Sequence, residues 1–102
     1  MTSMDERGAA FEAKFAHDAE LQFKVEARRN KLLGLWAAGL MGRTDADAYA
    51  AEVVKVDFQE AGKEDVFHKL SEDLGARADE KAIRAQMDIA LHTAKEQILD
   101  ES

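Results

Sequence analysis

The chain contains no cysteine and no proline, only six glycines, and aromatic residues at 7% of its 102 positions. The missing cysteine excludes disulfides, thiolate metal sites and cysteine nucleophiles together, and it fits a reducing compartment such as the cytoplasm. The missing proline permits long uninterrupted helices and argues against a loop-rich sandwich. No stretch approaches the roughly 18 consecutive apolar residues that a membrane span needs, and no basic-then-apolar leader is visible at the start. Positive charge is also scarce: 14 Lys and Arg against 21 Asp and Glu give a formal charge of −7. Nucleic acid and anionic lipid repel so acidic a surface unless its cations are strongly segregated.

What is present suits one small domain. Apolar residues make up 46% and charged residues 34% of the chain, enough for a modest core but not for a second one. Gly42, followed by Thr44-Asp45-Ala46-Asp47, marks a helix end and then a near capping box. Gly62 and Gly75 read as helix C-caps, and Asp79 beside Glu80 reads as a helix start. These signals predict helices near 19–41, 45–61, 64–74 and 80–99, joined by short connections that favour antiparallel neighbours.

Apolar stripes at a period near 3.6 support each of them. The first carries Leu21, Val25, Leu32, Leu35, Trp36 and Leu40. The second carries Ala46, Tyr49, Val53 and Val56, with Ala50 and Val54 beside them. Val66, Phe67, Leu70 and Leu74 form the third, and Ile83, Met87, Ala90, Leu91, Ala94 and Ile98 the fourth. Gly34 and Gly39 flank Trp36 at a cost to helix stability of about 1 kcal/mol each. Close packing of another helix would account for them.

The leader GAAFEAKFAHD, from Gly8 to Asp18, is out of phase with this pattern. In a helix Met4, Phe11 and Phe15 share one face, rotated by roughly 70° from the stripe of Leu21, Val25 and Leu32. Burying two phenylalanines is worth about 1.5–3 kcal/mol each, whereas ordering a backbone costs about 1–2 kcal/mol per residue. The expectation is a mobile N-terminal arm, residues 1–18, that becomes helical on binding a partner, preceding a four-helix bundle at 19–102.

No constellation predicts an enzyme. Asp88, His92 and Glu96 share a helical face, Glu64 and Asp65 precede His68, and His17 precedes Asp18. In so acidic a chain these read as solvated pairs, so no metal and no cofactor is expected. No nucleophile motif or phosphate-binding glycine loop is present. The one positive cluster is Lys24, Arg28, Arg29 and Lys31, next to Phe23 on the side of the helix away from Leu21 and Val25. It is a candidate for docking onto an acidic partner surface or for contacting phosphate. A single aromatic is a thin platform for nucleic acid, which is not expected as a partner.

The stretch from Phe11 to Ala38, FEAKFAHDAELQFKVEARRNKLLGLWAA, closely resembles the zeta subunit, the ATPase inhibitor subunit of alphaproteobacterial-type F1Fo-ATP synthases. AYAAEVVKVDFQEAG and DVFHK continue the match, which weakens after about Gly75. The resemblance implies a non-catalytic four-helix bundle whose N-terminal arm enters a catalytic interface between alpha and beta subunits, reaches towards gamma, and blocks hydrolytic rotation. Carried onto this chain, it makes Phe11 and Phe15 the apolar anchors, with Met4 on their face. Asp5, Glu6, Arg7, Glu12, Lys14, His17 and Asp18 become the polar contacts, and the bundle becomes an outer stop with a secondary docking surface. Gly8 departs from the family pattern, in which a charged residue is common. The implied place is the cytoplasm, peripheral to the membrane-bound synthase, and the free protein is expected to be a monomer. A rival reading is a helical adaptor that regulates a different partner through the same arm; another is a phosphate- or nucleotide-binding bundle using the basic cluster.

Overall fold

In the computed structural model the described residues are 19–59 and 64–101, with side chains through 57 in the first stretch. They form four α-helices: α1 Ala19–Met41, α2 Ala46–Gln59, α3 Asp65–Leu74 and α4 Glu80–Glu101. A single 3₁₀ turn, Gly75–Arg77, links the last two. The helices expected from the sequence are all present. Residues 1–18, and with them the expectations for the arm, lie outside the described residues, as does Gly62.

Local chemistry explains the boundaries. Gly42 adopts a left-handed φ of 69°, its N–H donating to the Gly39 carbonyl at 3.2 Å while Arg43 N–H donates to the Ala38 carbonyl at 3.0 Å. This paired pattern closes α1 with a Schellman motif, a backbone turn that glycine adopts without a Cβ penalty. In α2 the first helical bond runs from Tyr49 N–H to the Asp45 carbonyl at 3.0 Å. Asp45 therefore holds the N-cap place expected of Thr44, and its side chain accepts from Arg43 through two bonds of 2.8 and 2.7 Å. α3 ends at Gly75, with φ 56°. Asp79 caps α4 as expected, its Oδ1 accepting from Ala82 N–H at 2.8 Å and its carbonyl from Ile83 N–H at 3.0 Å.

The packing is antiparallel. Gly34 of α1 meets Ala50 of α2 so closely that a Cβ on residue 34 would stand 2.5 Å from the Ala50 Cα. Gly34 thus has the reason its position required, whereas around Gly39 nothing lies within 4 Å of such a Cβ. The larger core cluster joins all four helices through residues such as Leu33, Val53, Leu70 and Ile83. A smaller one is made by Leu21 and Val25 of α1 against Ala94 and Ile98 of α4.

The α1 stripe needs correction. Leu33, Ala37 and Ala38 are fully buried, while Leu40 is 45% exposed and Leu35 and Trp36 are only partly covered. The segment LLGLWAAGL is apolar on every side, so its period cannot point to one face. α1 packs against α2, α3 and α4 in turn, and small residues occupy the tightest of these contacts.

Candidate functional site

The basic cluster divides on folding. Phe23, Lys24, Arg28 and Lys31 line an open groove of about 480 Å³ between α1 and the end of α4, with Leu21 and Ile98 in its floor. Phe23 is 51% exposed, the most prominent apolar surface of α1. Lys24 reaches Glu20 one turn back at 3.5 Å. Arg28 is more firmly held: it donates to Gln97 Oε1 and to Glu101 Oε1, both at 2.8 Å, and so fastens the end of α4 onto α1. Arg29 does not line the groove. Its guanidinium turns to the neighbouring side chain and donates twice to Asn30 Oδ1, at 3.1 and 3.0 Å. Lys31 is exposed and completes the groove's positive edge.

The groove thus sets an aromatic ridge beside Lys24, Arg28 and Lys31, with Glu101 in its lining to offset part of their charge. Of the acidic–histidine groupings weighed from the sequence, those at His68 and His92 lie among the described residues, and His17 lies outside them. Among the described residues no group of three His, Asp or Glu side chains is placed to hold a metal ion. Glu64 instead pairs with Arg84 of α4 at 2.8 Å, and that hydrogen-bonded guanidinium, with Coulomb attraction behind it, holds the Glu64 carboxyl below the ordinary range. His68 stands edge-on to Phe67, ring centroids 5.7 Å apart.

Two features were not legible in the sequence. Asn30 is the one buried polar side chain among the described residues, at 0% exposure, and its Nδ2 has no hydrogen-bond partner. Flanked by Arg29 and Lys31 in the polar half of α1, it gave no sequence signal of its burial. The second is a network around Tyr49, which is 1% exposed and donates through its hydroxyl to Asp73 Oδ2 at 2.8 Å. Arg43 and Lys69 approach its ring at 4.7 and 5.1 Å from the centroid, within cation–π reach. Lys69 also bonds Asp73 at 3.0 Å. Burial alone would raise the Asp73 carboxyl, but the hydrogen bonds from Tyr49 and Lys69 outweigh it and hold the group below its ordinary 3.8. Burial, and then the Asp73 carboxylate, push the Tyr49 phenol well above its usual range. The network fastens α2 to α3.

With the bundle, its basic groove and its internal fastenings in view, comparison with known proteins decides the family. The family model described as ATPase inhibitor subunit zeta matches residues 1–97. The chain belongs to the ATPase inhibitor subunit zeta family. The zeta match runs through the leader and all four helices, so it covers both the arm expected from the sequence and the bundle. A solved structure, determined by solution NMR, is 51% identical to this zeta chain with a TM-score of 0.73. The alignment covers 80% of this chain and 99% of that one. No curated protein matches the chain. The zeta family is one of ATPase inhibitors and implies a regulatory, non-catalytic role at an ATP synthase. Among the described residues no helix is long and apolar enough to cross a membrane.

Proposed function

We propose that this chain inhibits ATP hydrolysis by the F1 part of an ATP synthase, with residues 1–18 as the inserted element and the bundle as the stop. The carrying observation is that the zeta match extends through residues 1–18, while side chains from Leu21 to Ile98 already form two contiguous core clusters. A segment that an inhibitor family shares, and whose Met4, Phe11 and Phe15 face is out of phase with the α1 stripe, is the natural working part. It enters as a helix at a catalytic interface between alpha and beta subunits, pointing towards gamma, and obstructs rotation in the hydrolytic direction.

Met4, Phe11 and Phe15 then bury their shared face, and Asp5, Glu6, Arg7, Glu12, Lys14, His17 and Asp18 pair with polar groups of the cleft. Ordering such a segment costs about 2–5 kcal/mol, which the buried phenylalanines offset. Phe23, Lys24, Arg28 and Lys31 offer the bundle's secondary docking face; Arg29, turned to Asn30, stands outside it. The protein acts on the cytoplasmic side, peripheral to the membrane-bound enzyme, and is a monomer when free.

The test is ATP hydrolysis by the cognate synthase with full-length protein or protein lacking residues 1–18. Full-length protein suppresses hydrolysis; the shortened one keeps its melting temperature and loses the effect. Equal inhibition by both would remove the proposal.

A further inference from the structure

A second, smaller cleft lies on the other side of Phe23, between α1 and the last turns of α2. Its volume is about 180 Å³, and Glu26, Ala27, Asn30, Val54 and Asp57 line it together with Phe23. Three polar groups here have free hydrogen-bonding capacity among the described residues. Asn30 is completely buried and its Nδ2 has no partner. Its Oδ1 is committed to the Arg29 guanidinium, which does not line the cleft. The amino end is therefore the part of the carboxamide left for the cleft. No described residue forms an ion pair with Glu26 or Asp57, although the bundle supplies such partners to Glu20, Glu52, Glu64, Asp73 and Glu101.

Buried donors are almost always satisfied, so an unpaired one at the floor of a cleft is a polar group awaiting an acceptor. The flanking carboxylates ask for the opposite, an N–H donor. Ala27, Val54 and the Phe23 ring supply apolar contact between them. One small planar group meets all three demands: a primary carboxamide, its carbonyl accepting from Asn30 and its NH₂ donating to Glu26 or Asp57. A carboxylate would satisfy Asn30 but face two like charges; an ammonium would satisfy the carboxylates but leave Asn30 unpaired.

We propose that this cleft is a binding site for a primary carboxamide, presented as a glutamine or asparagine side chain by a partner protein. The site adjoins the groove and shares Phe23 and Ala27 with it, but its polar groups, Glu26, Asn30 and Asp57, are its own. It gives the bundle a specific contact where the groove gives only charge and an aromatic surface.

The experiment uses the isolated full-length protein, so its outcome does not depend on ATP hydrolysis. Isotope-labelled protein is titrated with a capped glutamine, N-acetyl-glutamine methylamide, and with the capped glutamate and a free amide, propionamide, as controls. The expected result is saturable millimolar binding of the capped glutamine, with shifts at Ala27, Val54 and the Asn30 side-chain NH₂. The capped glutamate should bind about tenfold more weakly or not at all, as should Asn30→Leu protein with the glutamine probe. Ala27→Leu, which leaves Asn30 in place and fills the cleft, should also abolish the shifts and covers the case that Asn30→Leu does not fold. Binding of propionamide as tight as that of capped glutamine would assign the site to free amides and overturn the protein partner. No saturable shift, or equal response to glutamate or in either variant, would overturn the site itself.

Discussion

Gly34 and Ala50 meet backbone to backbone: a Cβ added at 34 would lie 2.5 Å from the Ala50 Cα and 3.0 Å from its Cβ. The obstructing atom belongs to the main chain of α2, which cannot turn aside as a side chain tip can. Gly34→Ala must therefore push α1 and α2 apart, at a cost of about 1–3 kcal/mol, despite alanine's better helix propensity. Gly39→Ala is the matched control, since open space surrounds it. It should gain about 0.5–1 kcal/mol. Chemical denaturation of the two variants checks both signs, and a stable Gly34→Ala protein would contradict the packing described.

Asn30→Leu should stabilise the bundle by about 1 kcal/mol. It removes a buried unpaired donor, whose burial costs about 1–3 kcal/mol, and replaces asparagine with a better helix former. Arg29 loses its bonds to Oδ1 but is only half-buried and can turn to water. For a domain of this size the gain corresponds to a rise in Tm of roughly 4–8 °C. A fall in Tm would mean that the carboxamide is satisfied within the fold.

Asp73 links stability to acid. Its carboxyl is held below 3.8 in the folded protein, so its charged form favours folding. That contribution is complete well above the unfolded value and disappears as pH falls through the lower, folded one. Asp73→Asn should be less stable at neutral pH and should lose less on acidification, so the two Tm curves converge below about pH 4. Tyr49→Phe should keep part of the acid sensitivity, because Lys69 still bonds the carboxylate. Parallel Tm curves for native and Asp73→Asn protein would show that the network carries no linkage.

Phe11→Ala combined with Phe15→Ala tests the arm without shortening it. Losing two buried aromatics at about 1.5–3 kcal/mol each should weaken inhibition of ATP hydrolysis at least about a hundredfold. Tm should not move. Potency equal to the native protein would show that these side chains do not enter the synthase.

The sequence disclosed most where a helix has one buried face. All four stripe residues of α3, from Val66 to Leu74, are buried as expected. α1 was harder because it faces three neighbours, and within LLGLWAAGL the buried places fall to Leu33, Gly34, Ala37 and Ala38. Bulky Leu40 is left at the rim, since a close helix approach selects for small volume rather than for hydrophobicity. The cation cluster was legible as composition but not as geometry. Arg28 and Arg29 are adjacent in the chain and point to different helical faces, one to α4 and one to Asn30. The Tyr49–Asp73 bond joins residues 24 apart, a relation that no local period encodes.

The unequal division of the core has a mechanical meaning. Residues 1–18 join the body at the start of α1, beside the small cluster of Leu21, Val25, Ala94 and Ile98. A pull along that segment loads this cluster and the Arg28–Glu101 clasp first, and the larger four-helix cluster last. α1 would peel from the end of α4 while the remainder stays folded. The end of the body next to that segment would thus open before the rest collapsed.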